Sequence, residues 1–132
     1  MELENSYWGG CVSAPGGALN VILKLDRCIF APDEQWKFQP TAPGSHIGSL
    51  LNKASNLCME VNNGTANPGE RVDEWYCAPG ATSELWIDYT VGGAHFYMHD
   101  GTNECLDTVG SAGSQLMQYT CKPAGPQLWY QI

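Results

Sequence analysis

The sequence has few charged side chains, and very few of them are basic. Charged residues make up 15% of 132 positions, and six Lys and Arg stand against fourteen Asp and Glu, which gives a net charge of −8. A chain this acidic repels phosphates and anionic head groups and offers no basic stripe for counterion release. We therefore expect neither a nucleic acid nor a membrane surface as a partner.

Long apolar runs are also missing. Gly, Pro, Asn or a charged residue interrupts every hydrophobic stretch well before the roughly 20 residues that a membrane-spanning helix needs. No membrane insertion is expected. The first five residues, Met-Glu-Leu-Glu-Asn, carry acid where a signal peptide would carry Lys or Arg. Either a leader has been removed or the chain is a module of a longer protein.

The six cysteines include no Cys-x-x-Cys pair and no His at zinc-ligand spacing, which argues against a structural zinc site. They form three couples, separated by 17, 19 and 16 residues, and the first members of the couples are 47 residues apart twice. This regularity favours one local disulfide per couple and an oxidising, extracellular environment. The alternative is six buried free thiols in a cytosolic protein. The couples are Cys11 with Cys28, Cys58 with Cys77, and Cys105 with Cys121.

The period of 47 residues extends beyond the cysteines. A shift by 47 superimposes Asn5, Asn52 and His99. A tryptophan follows the second cysteine of each couple after eight, nine and eight residues, and each is preceded at two positions by Glu or Gln; these are Trp36, Trp86 and Trp129. The pattern predicts one domain, residues 1–132, of three repeats at about 5–48, 49–94 and 95–132.

Within each unit the segments are short, alternate polar with apolar residues and are separated by turn signals such as Asn-Asn-Gly and Pro-Gly. This pattern is typical of strands and predicts about twelve of them, with helix content near zero. Three units are too few for the usual propeller, and the helices of a solenoid are missing. We therefore predict an all-β fold that closes on a pseudo-threefold axis. The tryptophans are predicted to pack in its shared core.

These motifs resemble those of the ricin B-chain-like β-trefoil lectins, which include the carbohydrate-binding modules of family 13. The resemblance rests on three units with an internal cysteine couple, a Cys-Leu-Asp opening, the segment Gly-Ser-Gln-Leu-Met-Gln-Tyr-Thr-Cys at 113–121 and a terminal Gln-Leu-Trp. It covers residues 5 to 132. It implies a β-trefoil with non-catalytic sugar pockets, at most one per unit, and no cofactor or metal.

In this family each pocket uses an Asp two residues after the first cysteine, an aromatic two residues before the second, and the Gln of the Gln-x-Trp motif. The third unit supplies Asp107, Tyr119 and Gln127, while Pro126 replaces an Asn that often helps to bind the sugar. An ionised carboxylate accepts two hydroxyl donors, and an aromatic ring covers the apolar face of a sugar. The alternative roles are a turn cap for the Asp and a core position for the Tyr.

The resemblance implies that the second unit contributes Glu60, Trp75, Ser83 and Glu84 to a pocket. Two acids that face each other would repel unless one is protonated or both turn outward. The first unit offers Ser13, Asp26 and Glu34, without an aromatic platform. We expect that unit to bind no sugar.

Two other sequence features have ordinary structural explanations. His95 and His99 lack a Glu at zincin spacing, so we expect surface or packing roles and no metal. Asn63-Gly64-Thr65 fits the sequence for N-glycosylation. Asn-Asn-Gly is also a tight-turn sequence. Whether Asn63 carries a glycan depends on the source organism.

Three functions remain open at this stage. The first is carbohydrate binding to galactoside- or xylan-type glycans, by a secreted module that targets an attached or partner enzyme or toxin domain. The second is a β-trefoil protein-interaction module or protease inhibitor with decayed sugar pockets. The third is a glycosidase, which needs two suitably spaced carboxylates around a cleft. We favour the first and expect no enzymatic activity.

Overall fold

The computed structural model describes all residues from Met1 to Ile132. It contains twelve strands and five short 3-10 turns, with no α-helix. The strands of the first repeat are β1 (Leu3–Asn5), β2 (Cys11–Ser13), β3 (Lys24–Asp26) and β4 (Trp36–Pro40). Those of the second are β5 (Ile47–Asn52), β6 (Cys58–Val61), β7 (Val72–Trp75) and β8 (Trp86–Val91). Those of the third are β9 (Ala94–His99), β10 (Glu104–Thr108), β11 (Leu116–Thr120) and β12 (Trp129–Gln131).

The strands pair in antiparallel fashion with the connectivity of a β-trefoil. The first and last strands of the repeats pair in a ring, β4 with β5, β5 with β8, β8 with β9, β9 with β12, and β12 with β1. The backbone of Met1 closes this ring against that of Trp36, through bonds of 2.8 and 3.0 Å. The middle strands of each repeat form the hairpins β2–β3, β6–β7 and β10–β11. The predicted all-β fold with about twelve strands is confirmed.

A 3-10 turn precedes each of the three repeated tryptophans and will be called the pre-tryptophan turn. The three turns are Pro32–Glu34, Thr82–Glu84 and Gly125–Gln127. Asn52 Nδ2 donates to the carbonyl of Asp33 in the first turn, and Asn5 Nδ2 donates to that of Pro126 in the third, both at 2.8 Å. His99 Nε2 lies 3.1 Å from the carbonyl oxygen of Thr82 in the second. The three residues that the 47-residue shift superimposes therefore make equivalent contacts between repeats. They connect the second repeat to the first, the third to the second, and the first to the third.

The core contains fifteen buried residues, among them the three repeated tryptophans, which are at most 1% exposed. Each indole N–H donates to the carbonyl of the residue after the first cysteine of its repeat. The acceptors are Val12 at 3.0 Å, Met59 at 3.2 Å and Leu106 at 3.2 Å. The indole therefore adds a directed bond to its apolar burial. The prediction that these tryptophans are structural is confirmed.

Further backbone bonds run from one hairpin to the next around the threefold axis. The N–H of Asn20 donates to the carbonyl of Glu74 at 2.7 Å, Gly69 to Gln118 at 2.8 Å, and Gly113 to Leu25 at 2.7 Å. Each bond joins the hairpin loop of one repeat to the third strand of another. The loop that carries Asn20 thus lies beside the second-repeat hairpin.

The disulfides follow the three couples. Cys11 is joined to Cys28, Cys58 to Cys77 and Cys105 to Cys121, and no cysteine is free. The predicted pairing is confirmed. A helix that is long and apolar enough to cross a membrane was not found.

Candidate functional site

The hairpins of the three repeats present equivalent outer faces. In β10–β11 the residues opposite each other are Cys105 and Tyr119, and then Asp107 and Met117. Because side chains alternate along a strand, these four lie on one face. The equivalent face of β6–β7 carries Cys58 with Trp75 and Glu60 with Asp73.

In the third repeat, Gln127 holds Asp107 in place. Its Nε2 donates to Asp107 Oδ2 at 3.1 Å and to the carbonyl of Thr120 at 3.0 Å, and its Oε1 accepts from the N–H of Lys122 at 2.7 Å. The other carboxylate oxygen of Asp107 accepts from the N–H of Thr108 at 2.7 Å. A carboxylate oxygen has two acceptor directions, so each oxygen can still accept a hydroxyl donor.

The ring of Tyr119 lies on the same face of the third-repeat hairpin and is 49% exposed. It is therefore available to cover the apolar side of a ligand. The third repeat brings together an acceptor, a ring and an amide that fixes the acceptor. These are the three residues that the sequence singled out for this unit.

The second repeat forms a cavity of about 590 Å³ beside its hairpin. Glu60, Trp75 and Ser83 line it, and the indole of Trp75 is 42% exposed. Polar residues that the sequence did not single out complete the rim: Asn20, Asn62 and Thr82. Asn63 also lines the cavity, in a turn where its φ of 57° is left-handed. Asn is one of the few residues that adopt this conformation readily.

Glu84 does not join this cavity. It is 3% exposed, its Oε1 accepts from the N–H of Ala78 at 2.9 Å, and it lines a separate cavity of about 480 Å³ with Gln39, Pro40 and Ser49. Glu34 makes the equivalent bond to the N–H of Ile29 at 3.0 Å. All three Glu or Gln residues thus anchor the residue after the second cysteine. Gln127 also has an amide N–H that donates to Asp107, and an ionised Glu34 or Glu84 has no such donor.

The first repeat has no comparable site. Ser13 is buried, and Asp26 accepts from the N–H of Arg27 at 2.8 Å. Asp33 and Ser55 line a cavity of about 380 Å³, and neither Ser13 nor Asp26 lines it. No aromatic ring stands at the position of Trp75 and Tyr119.

The acids of the second repeat are strongly perturbed. Burial, with Asp73 alongside and Glu84 nearby, raises the pKa of Glu60 to about 8. Burial also raises the pKa of Asp73, whose oxygen lies 3.7 Å from Nε of Arg71. Two adjacent carboxyl groups in a desolvated place cannot both ionise without a large cost. The pair therefore holds a proton at neutral pH.

Asp73 is not among the residues predicted from the sequence, because those positions are counted from the cysteines and Asp73 is not one of them. Its signal is the alternation Asp73-Glu74-Trp75, which puts the carboxyl and the indole on one face. The sequence pattern does not indicate that Asn20 lines this cavity, because Asn20 belongs to the first repeat and the cavity lies in the second. One possible metal-ligand cluster, Glu2 with Cys11 and Cys28, has both sulfurs in a disulfide and offers no thiolate for a metal.

We expect the folded protein to be several degrees less stable to heat at pH 8 than at pH 5. Burial raises the pKa of Glu74 to about 7 from an ordinary 4.5. The folded state then holds a proton that the unfolded state has lost, so stability falls as pH rises between these values. Glu60 adds the same trend up to about 8. Thermal unfolding monitored by circular dichroism over pH 5–8 measures the slope.

Glu74→Gln is the matched variant, because the third repeat has buried Gln118 at this position. It should reduce the pH dependence to the part that Glu60 contributes and still accept the bond that Ser55 Oγ donates to Glu74 at 2.8 Å. A wild-type protein that gains stability from pH 5 to pH 8 would contradict the burial argument.

Comparison with known proteins gives the same fold and a family. The family model described as "Ricin-type beta-trefoil lectin domain" matches residues 1–130. No curated protein sequence matches the chain. Among solved structures, the designed threefold-symmetric protein ThreeFoil is similar, with a TM-score of 0.89 at 17% identity over 98% of this chain and 94% of that one.

Two natural proteins are also similar in structure. An exo-β-1,3-galactanase from Clostridium thermocellum has a TM-score of 0.86 at 16% identity, over 98% of this chain and 29% of the galactanase. A Polyporus squamosus lectin, solved with a bound Neu5Acα2-6Galβ1-4GlcNAc epitope, has a TM-score of 0.81 at 12% identity, over 97% of this chain and 46% of the lectin. This chain thus spans less than half of either natural protein. With its family model matched from residue 1 to residue 130, the chain belongs to the ricin-type β-trefoil lectin domain family.

Proposed function

We propose that this protein binds glycans without cleaving them, through the hairpin faces of its third and second repeats. Members of this family are carbohydrate-binding and generally non-catalytic modules. The observation that carries the proposal is the third-repeat site, where Gln127 holds the Asp107 carboxylate at 3.1 Å on the face that exposes Tyr119. A charged acceptor beside an open ring suits the hydroxyl edge and the apolar face of a sugar.

The finer assignments belong to the same proposal. The ligands are galactoside- or xylan-type glycans, and the domain targets an attached or partner enzyme or toxin domain to them. The three disulfides support a secreted protein, because such bonds persist in oxidising compartments. The third site is the strongest, the second is weaker or altered in specificity, and the first is silent.

A glycan array on the oxidised protein tests the proposal directly. The best neutral glycan is then titrated into three proteins: the wild type, Asp107→Ala and Ser13→Ala. A single shallow site should bind a monosaccharide with a Kd on the order of 0.1 to 1 mM. Asp107→Ala should remove most of this binding, because the sugar hydroxyls lose their charged acceptor.

Ser13→Ala changes the equivalent residue of the first repeat and is the matched control, with no expected effect. Full binding by Asp107→Ala would overturn the site assignment. Loss of binding by Ser13→Ala would mean that the repeats are ranked in the wrong order. Release of product from a bound glycan would show a glycosidase instead.

One observation favours a protein-interaction module as the second candidate. The first repeat exposes four large apolar side chains by 42–66% each: Tyr7, Trp8, Ile29 and Phe30. These side chains belong to two segments, residues 7–8 and 29–30. The segments are close together, because Sγ of the neighbouring Cys28 lies 3.5 Å from the carbonyl oxygen of Gly9. Exposed apolar surface of this kind can mark an interaction site. A glycan array without any hit would favour this second candidate.

A further inference from the structure

The second-repeat cavity has one acid in its lining and a second, buried acid behind it, unlike the hairpin faces of the other two repeats. Glu60 lines the cavity, whereas Asp73 is buried and does not. Glu60 and Asp73 are directly opposite each other on β6 and β7. The third repeat has Asp107 and Met117 at these positions, and the first has Ser13 and Lys24. Only the second repeat therefore places two acids where one carboxylate suffices to accept sugar hydroxyls.

Asp73 is completely buried, and no N–H group donates to either of its carboxylate oxygens. The nearest cation is Arg71, whose Nε stays 3.7 Å away and has no hydrogen-bond partner of its own. A buried carboxyl without an N–H donor must share a proton with its neighbour or meet a cation, because leaving it ionised and unpaired is costly. The site is therefore short of hydrogen-bond donors and of positive charge.

The charges that face the pair are mostly negative. Glu84 lies near Glu60, and Glu70 lies near Asp73; both raise the pKa of the neighbouring carboxyl, while Arg71 lowers that of Asp73. With the pair ionised, these groups give the wall of the cavity at Glu60 an excess of negative charge. A bound cation would remove this excess.

The rim of the cavity fits a sugar ring that carries such a cation. The indole of Trp75 is 42% exposed and stands on the same face as Glu60. An indole can stack on the C–H face of a sugar and also attracts an ammonium group. Asn20 and Asn63 add amides to the rim, which can bond to the remaining hydroxyls.

We propose that the second-repeat cavity binds a hexosamine whose amino group is free, with its ammonium group against Glu60. This inference rests on the proposed sugar-binding function and names the ligand class of one of its sites. The ammonium supplies three N–H donors and one positive charge. It replaces the proton that the Glu60–Asp73 pair holds, and that proton passes to the solvent. An N-acetylated sugar has no charge to offer and leaves the proton in place.

The experiment compares a glucosamine trimer without acetyl groups with its fully N-acetylated counterpart at pH 6.5. Calorimetry in two buffers of different ionisation enthalpy measures affinity and proton release together. We expect the free-amine trimer to bind at least about tenfold more tightly, with protons released by the protein once the protons that the partly charged amines of the trimer take up are subtracted. Binding of the N-acetylated trimer with equal or higher affinity would overturn the proposal.

The variants separate this site from general attraction to an acidic protein. Glu60→Gln keeps the shape of the side chain but cannot ionise, so it should abolish both the amine preference and the proton release. Asp26→Asn removes one exposed acid elsewhere and should change neither. Equal losses in the two variants would show non-specific attraction and overturn the proposal, as would equally tight binding of ethanolamine, an amine without a sugar.

The outcome is independent of the test on the third repeat. A neutral glycan that depends on Asp107, together with no preference for the free amine, refutes this inference and leaves the proposed function standing. Amine-dependent binding that requires Glu60, together with no neutral glycan that requires Asp107, supports this inference and refutes the third-repeat site. Circular dichroism on each variant confirms that the fold is retained.

Discussion

Replacing Trp129 with alanine should destabilise the protein by about 3–5 kcal/mol. The side chain is completely buried in the shared core, so its removal leaves a cavity that the surrounding strands cannot fill. The indole also donates to the carbonyl of Leu106 at 3.2 Å, and the variant leaves that buried acceptor without its partner. Urea unfolding followed by circular dichroism measures the loss.

Tyr119→Ala is the matched control, since it also removes an aromatic ring from the third repeat. Tyr119 is 49% exposed and outside the core, so the fold should be retained with a loss of less than about 1 kcal/mol. Tyr130→Ala provides a second control from the next position in β12, where the ring is 44% exposed. Equal shifts in unfolding for Trp129 and Tyr119 would contradict the division between core and platform rings.

Removal of the disulfide in the second repeat should cost about 3 kcal/mol. Cys58 and Cys77 close a loop of 19 residues that contains the whole β6–β7 hairpin and the turn with Asn62 and Asn63. Without the bridge the unfolded chain gains conformational freedom that folding must remove again. The double variant Cys58→Ala, Cys77→Ala, compared with the wild type in urea unfolding, gives the cost.

The double variant Cys105→Ala, Cys121→Ala is the comparison, because its loop of 16 residues has nearly the same length. Similar losses are expected from the two. Peptide mapping of the oxidised wild type provides an independent check on the pairing. A peptide that joins Cys28 to Cys58, or free thiols in protein made under oxidising conditions, would contradict one bridge per repeat.

The fold could be predicted from the sequence because the same cysteine and tryptophan spacing occurs in all three repeats. Cysteine couples and tryptophans at equal spacing require that each unit bury the same side chains in the same way, and Trp36, Trp86 and Trp129 make equivalent bonds. The superposition of His99 on Asn5 and Asn52 in the sequence also corresponds to equivalent positions in the structure. The imidazole approaches a turn carbonyl, as the amides of Asn5 and Asn52 do. The division into repeats at 49 and 95 stays a prediction.

The sequence predicted contacts between site residues of the same repeat, but not contacts between residues of different repeats. Asp107 and Gln127 belong to one repeat, and the structure brings them into contact. Asn20 reaches the second-repeat cavity from another repeat, through the bond from its N–H to Glu74. Glu84 and Ser83 are adjacent in the chain but line different cavities, because a tight turn points successive side chains in different directions. Spacing along the chain does not report such directions.

The ring of bonds between repeats has a consequence for the kinetics of folding. β1 pairs with β12, so that Leu3 is opposite Gln131, and the hairpin loops bond to strands about fifty or more residues away. Chains with so many distant contacts must close long loops before the contacts stabilise them, and they fold in milliseconds to seconds instead of microseconds. The disulfides each span fewer than 20 residues and therefore shorten these loops only in part, and the cost of loop closure depends only weakly on length. Refolding of the oxidised protein should therefore remain slow, and the three repeats should become protected against hydrogen exchange together, once the last strand has docked against the first.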